Sequence, residues 1–329
     1  MINCGIIGYG KIGQIRVQTL EDSALANVSL IYDSDLSANT KYRCTQNEQE
    51  IINNPDIDAV FIATPNLFNK PLTIAALRNG KHVFCEKPPA FTGKDVKEIQ
   101  AIERKSGKKL MYGFNHRHHG SILKAQEVVK SRDYGEILWM RGRYGKSVDE
   151  SFFDNWRSKK KLAGGGILLD QGIHMLDIML LFAGNFDEVQ AMVSNVYWKL
   201  DGIEDNVFAN FKNTKTGVVA SIHSTMTQWR HLFSLEIFLE KGHIVLNGLK
   251  TQSGTYGNEH LVISRNKSCT PTVQWENDIE YTYKIDHSMK NEVSLFLESI
   301  INDRKIVDGS SDDAYKVMSL IDKIYNSNK

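Results

Sequence analysis

A short apolar strand, Ile2 to Ile7, runs directly into Gly8-Tyr9-Gly10-Lys11-Ile12-Gly13. Nothing else in the chain narrows its fold so far. G-x-G-x-x-G after a strand and before a helix opens a βαβ unit that binds a dinucleotide. Gly8 permits the tight turn, Gly10 lets a pyrophosphate approach the backbone, and Gly13 lets the helix lie close to the sheet. The free N–H groups and positive dipole end of that helix then hold the phosphates. Gly8, Tyr9, Gly10, Lys11, Ile12 and Gly13 are therefore the first candidate cofactor contacts.

A second apolar run, 28–32, ends in Asp33, 20 residues after Gly13. A carboxylate at that place accepts the ribose hydroxyls of the adenosine half. The alternative is a solvated turn acid. Asp33 would also repel a 2′-phosphate, and Ser34 and Asp35 supply no Arg to receive one. NAD is expected rather than NADP, with Asp33 and Ser34 in contact with it.

The 329 residues are enough for two domains, and 41% hydrophobic with 24% charged residues is ordinary globular composition. A net charge of +1 gives no nucleic-acid footprint and no basic membrane-binding patch. No apolar run reads as long as a membrane span. The first strand starts at residue 2, which leaves no room for a signal peptide, so a cytoplasmic protein is expected. Cys4, Cys44, Cys85 and Cys269 are scattered without a C-x-x-C pair. They read as buried free thiols, with no metal-ligand spacing and no metal expected.

Up to about residue 118 strands alternate with helices. Strands fit 2–7, 28–32, 59–63, 82–85 and 109–114, and helices fit 11–20, 38–53, 67–79 and 92–106. Continuous apolar strands between helices predict a parallel sheet covered on both faces, with ligands at the carboxyl ends of its strands. A helix over 119–131, a strand over 136–145 and an apolar helix over 166–182 follow. β-prone runs then fit 187–198, 204–212, 216–226, 232–240 and 243–247, and two helices fit 287–302 and 311–327. The fold class expected is α/β. Residues 1–118 form the dinucleotide domain, and 119–329 form an α+β domain on an open, mostly antiparallel sheet, with the closing helices free to pack back on the first domain.

Three segments carry candidate chemistry. Lys87 in Cys85-Glu86-Lys87-Pro88-Pro89 sits on a stiff backbone at the ligand end of the sheet; a surface charge is the alternative. Asp170 and His174 lie four apart in an apolar helix opened by Gly164-Gly165-Gly166 and share one face. Two polar groups there are costly unless paired or used, and a purely stabilising Asp–His bond is the other possibility. Asp177, one turn on, reads as a structural partner. In Gly113-Phe114-Asn115-His116-Arg117-His118-His119 the histidine spacing does not suit a metal, whereas Asn115 and Arg117 suit the ligand cleft. Arg141, Arg143, Tyr144, Lys146, Arg157, Lys159, Lys160 and Lys161 form a basic run that is either solvated surface or a site for an anionic substrate. Tyr197, Trp198 and Trp229 offer stacking faces, or equally packing or subunit contacts.

Together these segments resemble the glucose–fructose oxidoreductase / inositol dehydrogenase / MocA (Gfo/Idh/MocA) family along nearly the whole chain. The matching residues are Gly8 to Gly13, Asp33, Ala63-Thr64-Pro65-Asn66, Glu86-Lys87-Pro88, Gly113-Phe114-Asn115-His116-Arg117, Trp156-Arg157, and Gly164-Gly165-Gly166 with Asp170, His174 and Asp177. The resemblance implies a Rossmann domain followed by an α/β domain on an open sheet. It also implies NAD(P)-dependent oxidation or reduction of a sugar, cyclitol or nucleotide sugar. Lys87, Asp170 and His174 take the family's catalytic positions, and Thr64, Pro65 and Asn66 its cofactor loop. Glu86, Lys87, Asn115, Trp156 and Arg157 complete the cofactor set. Lys87, Asn115, Arg117, Tyr144, Asp170 and His174 form the substrate set. Many members carry a His three residues after that Asn; here it is Asn69.

The function expected is hydride transfer between nicotinamide and a secondary alcohol of a nucleotide-activated sugar or sugar acid, otherwise a free sugar or inositol. His174 would take the hydroxyl proton, Lys87 would stabilise the alkoxide, and Asp170 would orient the substrate. A redox-neutral epimerase, lyase or glycosidase and a non-catalytic NAD sensor are the alternatives. No nucleic-acid or membrane partner is expected. An open sheet suits a homodimer or homotetramer.

Overall fold

The computed structural model describes residues 1–35, 41–265 and 278–327. They form two compact units. The first comprises Met1–Asn115, Lys161–Gly164 and Met289–Ser319; the second comprises His116–Lys160, Gly165–Ser288 and Leu320–Lys329.

In the first unit the chain runs β1(Ile2–Ile7), α1(Lys11–Glu21), β2(Ala26–Tyr32), β3(Cys44–Thr45), α2(Glu48–Ile52), β4(Ala59–Ile62), α3(Asn66–Arg78), β5(His82–Cys85), α4(Gly93–Ser106) and β6(Leu110–Tyr112). All six strands are parallel in the order β3-β2-β1-β4-β5-β6, that of a Rossmann sheet. Every residue of β4 is buried, as a strand covered on both faces requires. Thr92 and Asp95 form a reciprocal capping box that starts α4, and Gly107, with φ 64°, ends it.

The long helix expected over 38–53 is not formed. Residues 36–40 lie outside the described residues, Cys44 and Thr45 pair with Ile31 and Tyr32, and Asn47 caps the short α2 by accepting the Gln49 N–H. Sheet-edge pairing and an Asn cap override the weak helical pattern upstream. Cys4 and Cys85 are buried, and burial pushes both thiols up to about 12. Cys44 is exposed on the edge strand rather than buried, and Cys269 lies outside the described residues.

The second unit begins with α5(Gly120–Ser131) and β7(Ile137–Gly145). The turn α6(Lys160–Ala163), whose last three residues belong to the first unit, leads through the glycine run back into the second unit at a π-helical turn, Leu168–Gly172, and then α7(Ile173–Ala183). Strands β8(Glu188–Ser194), β9(Asn206–Lys212), β10(Val219–Thr225), β11(Leu232–Leu239), β12(Gly242–Asn247), β13(Glu259–Arg265) and β14(Ile279–Tyr283) complete the unit. The eight strands are ordered β14-β13-β12-β11-β7-β10-β9-β8, and only β7–β10 is a parallel pair. β7 lacks a side chain where α7 crosses it: a Cβ on Gly142 would stand 2.6 Å from Met175 Sδ and 2.7 Å from Met179 Cε. β13 and β14 have no counterpart among the expected strands. β14 is an edge strand with no fully buried residue, so its apolar signal is weak.

The helical stretch Lys160–Ala183 is long and apolar enough to cross a membrane, which corrects the expectation that no run reaches that length. Its apolarity serves the core: 67% of its most apolar window is buried inside the protein.

The chain closes with α8(Ser288–Ile301) and α9(Ser311–Ser327). Phe296 of α8 packs edge-on, at 5.6 Å, against both Phe61 and Phe84, within the first unit's core of Ile6, Val17, Leu20 and Met111.

Candidate active site

In the first unit β1 delivers the chain into the glycine loop. Gly8 has φ 95°, and a Cβ there would lie 2.5 Å from the Ala63 carbonyl oxygen. A Cβ on Gly13 would lie 2.0 Å from Gly8 O, so that glycine is fixed by backbone contact. Gly10 differs: nothing lies within 4 Å of the place its Cβ would take. It is also the N-cap of α1, which has no side-chain cap and no acid in its first turn. An open glycine face before an uncapped 11-residue helix fits a dinucleotide pyrophosphate. Lys11 and Ile12 begin that helix. Asp33 at the end of β2 faces the same loop, its Oδ2 accepting the Tyr9 N–H at 2.5 Å and its Oδ1 the Asp35 N–H at 2.9 Å. Ser34 lies in the turn between them.

The neighbouring loops are tied together by Asn69, which is fully buried. Its amide nitrogen donates to Glu86 O (3.2 Å) and Pro88 O (2.8 Å), and its oxygen accepts from Thr64 Oγ1 (3.1 Å). The amide thus brackets Lys87 from both sides, and the Lys87–Pro88 peptide is cis. A non-titrating amide suits this place, because the position supplies one acceptor and two donor bonds. Pro65 caps α3, and Asn66 Nδ2 donates to Ala163 O at 2.8 Å.

Glu86, expected to contact the cofactor, is paired with a buried arginine. Arg16 is 1% exposed; its Nη2 stands 2.6 Å from Glu86 Oε1 and 2.7 Å from Glu292 Oε2, and its guanidinium lies 4.4 Å from the Phe84 ring centre. A Cβ on Gly113 would meet Glu86 Oε2 at 2.8 Å, which explains that glycine. Only one sequence signal pointed to Arg16, a charge on the sheet-facing side of α1. Asn115, 8% exposed, ends the first segment of the unit and starts a 3-10 turn.

In the second unit the last glycine of the run, Gly166, is held by Glu204, which pattern reading missed. Its carboxylate accepts the N–H groups of Gly166 (2.7 Å) and Leu168 (3.0 Å) and the Tyr325 hydroxyl (2.9 Å). A Cβ on Gly166 would lie 2.0 Å from Glu204 O. Burial raises the Glu204 carboxyl above its ordinary value, against the pull of these hydrogen bonds.

Asp170 lies in the π-helical turn, so the regular helix expected over 166–182 is widened where the chemistry was placed. Lys146 Nζ stands 3.1 Å from Asp170 Oδ2, and Arg157 Nε stands 3.1 Å from Oδ1. Arg157 also stacks on Trp156, 4.3 Å from its ring centre. His174, in the first turn of α7, is 5% exposed and lies flat on the imidazole of His116, with centroids 3.8 Å apart. His116 Nε2 bonds the Tyr144 hydroxyl at 2.7 Å. Tyr144, expected to touch substrate, is 2% exposed and stands behind His116; burial raises its phenol well above the ordinary range. Arg117, given the same role, forms a buried pair with Asp177, Nε to Oδ2 at 2.7 Å and Nη2 to Oδ1 at 2.6 Å. His119 bonds Glu259 at 2.9 Å; burial alone would raise that carboxylate, but the bonds from His119 and the Ser121 N–H bring it below its ordinary value.

The comparisons agree with this architecture. Residues 2–114 match the model of the oxidoreductase family with NAD-binding Rossmann fold, and residues 122–245 match the GFO/IDH/MocA C-terminal domain. A levoglucosan dehydrogenase of Pseudarthrobacter phenanthrenivorans is 36% identical over 152 residues, 46% of this chain and 39% of that protein. A 1,5-anhydro-D-fructose reductase of Ensifer adhaerens is 29% identical over 215 residues, 62% of this chain and 61% of that one. The matched stretches thus span less than two thirds of either relative. The solved structure of a levoglucosan dehydrogenase with NADH and levoglucosan has the same fold, with TM-score 0.85 over 99% of this chain and 97% of that one, at 23% identity. With both domain models matched in order, the chain belongs to the Gfo/Idh/MocA family of oxidoreductases, and its first unit is their NAD-binding Rossmann domain.

Proposed function

We propose that this protein is an NAD-dependent oxidoreductase that transfers a hydride between a secondary alcohol of a sugar or cyclitol and nicotinamide. The observation that carries the reading is the open Gly10 face before the uncapped α1, with Asp33 turned to the same loop. Family membership and the names of the relatives support a sugar-like substrate.

The bound nicotinamide would supply the hydride chemistry, and the protein the binding and the proton handling. Gly8 to Gly13 would hold the pyrophosphate and Asp33 the adenosine ribose; a carboxylate at that place favours NAD over NADP. Lys87 would donate a hydrogen bond to the reacting oxygen and stabilise an alkoxide. His174 would take the hydroxyl proton, since an ordinary imidazole titrates near about pH 6.5. Asp170, paired with both Lys146 and Arg157, would accept a hydrogen bond from a neighbouring hydroxyl.

The test is nicotinamide absorbance on mixing the protein with NAD and a panel of inositols, neutral sugars, sugar acids and nucleotide sugars. Sustained NADH formation with one class establishes the activity. Bound NAD with sugar conversion but no net NADH makes the reaction redox-neutral. Bound NAD with no conversion of any class returns the protein to the sensor reading.

A further inference from the structure

The two cations on Asp170 are more than that carboxylate needs. Lys146 follows the last residue of β7, and its ammonium lies 5.4 Å from the Phe152 ring centre. Arg157 is likewise backed by Trp156. Side-chain exposures of 20% for Lys146, 31% for Arg157 and 17% for Asp170 leave the cluster within reach of a small molecule. Two cations and one carboxylate sum to one positive charge. Among the described residues only one N–H of the Lys146 ammonium and the Nε–H of Arg157 have protein acceptors, which leaves the other ammonium protons and both Nη groups for a ligand. His231 faces the same groups, and its imidazole is held below the ordinary value by burial and by Lys146.

We propose that Lys146, with Arg157 beside it, receives a carboxylate of the substrate, so that the substrate is a sugar acid with its acid group near the reacting alcohol. This rests on the reading of Asp170 as a substrate contact, and it gives Arg157, which pairs with Asp170, to the substrate rather than to the cofactor set named from the sequence. The count of one surplus charge favours a monoanion over a nucleotide diphosphate. The rest of the basic run is partly engaged elsewhere: Arg141 bonds both oxygens of Glu236 at 2.8 Å, and Lys159 Nζ donates to Phe153 O at 2.8 Å. Ammonium and guanidinium donors converging on one place suit the two oxygens of a carboxylate.

The experiment measures binding of hexuronates and of the matching neutral hexoses to the NADH-loaded protein, together with NAD reduction by each. The wild type should bind a uronate at least about tenfold more tightly than its neutral partner, a difference worth about 1.4 kcal/mol. Added salt should shrink that advantage. Lys146→Met should abolish the preference and Lys146→Arg should keep most of it. If Lys146→Met fails to fold, the salt titration of the wild type decides. Equal affinity for acid and neutral sugar, or a preference indifferent to both salt and Lys146→Met, overturns the proposal. Lys146-dependent uronate binding without NAD reduction upholds it and rejects the redox reading. NAD reduction by neutral sugars alone upholds the redox reading and rejects the proposal.

Discussion

The imidazole of His174 lies against that of His116, with 3.8 Å between ring centres and 16° between planes. The lower ring is held from behind by Tyr144 and flanked edge-on by His119 at 5.4 Å. The stack fixes the distance and tilt between the two rings. It also sets the plane in which His174 presents its nitrogens. His116→Ala removes the face and should lower kcat by about 10- to 100-fold, the scale of a small misplacement of a reacting group. His116→Phe keeps a flat ring and should lose less. Steady-state kinetics of the two variants check this, and equal losses would argue against orientation by the ring.

Arg117 and Asp177 form a buried, two-contact ion pair, with Asp177 1% exposed and Arg117 3% exposed. Removing one partner strands the other charge away from water. Asp177→Ala should destabilise the protein by about 3–5 kcal/mol, whereas replacing both residues with apolar side chains of similar size should cost much less. Denaturant unfolding of the two variants tests this contrast.

How far the sequence reached follows from the range of each signal. The glycine loop with Asp33 could be read as one βαβ unit, and Asp170 with His174 as neighbours on one helical segment, because each signal lies within a short span of sequence. The partners of Arg117, Tyr144 and Glu86 could not be read, because Asp177, His116 and Arg16 are distant from them in sequence. Glu204 shows the same limit. The Gly164-Gly165-Gly166 run announces a close approach, but nothing local names the carboxylate 38 residues away that fills it. The π-helical turn at Leu168–Gly172 also escaped, since an apolar run of that length reads as a regular helix.

Glu204 predicts a pH effect with a definite sign. Its folded-state value is raised by burial above the ordinary 4.5, so the folded chain holds the proton more tightly than the unfolded chain. Its contribution to stability is fully present below the ordinary glutamate value and is lost as pH rises through the raised one. Glu204→Gln does not titrate there. The stability advantage of the wild type over this variant should therefore narrow as pH increases from acid toward neutral. Unfolding free energies of both proteins across that window test it; a gap that widens with pH would contradict the assignment.

Asp33 should govern cofactor choice. Its carboxylate is fixed by the N–H groups of Tyr9 and Asp35 at the end of β2. Asp33→Ser removes both the ribose acceptor and the charge that repels a 2′-phosphate. NAD affinity should fall by about tenfold, roughly 1.4 kcal/mol, while the NADP-to-NAD affinity ratio rises. Titration of each nucleotide by fluorescence gives both numbers. An unchanged ratio would mean that discrimination lies elsewhere.

The outer face of the eight-stranded sheet carries the last prediction. Trp139 stacks on Phe238 with ring centres 4.0 Å apart, and Phe238 on His243 at 5.0 Å. On the neighbouring strands Phe208 stacks on His223 at 3.9 Å, and Met192 pairs with Phe208 across β8 and β9. Met192 is 69%, Phe208 44% and Trp139 36% exposed. Apolar and aromatic groups gathered on one open sheet face exceed what single scattered surface residues explain. A second copy of the chain, packed face to face, would cover them. Light scattering should give a dimer or tetramer for the wild type. Phe208→Glu combined with Trp139→Glu should shift it toward monomer, since charges buried without partners oppose association. The variant should retain its fold, because both side chains already stand in solvent within one chain. A wild type that is monomeric at micromolar concentration would leave this face to another role.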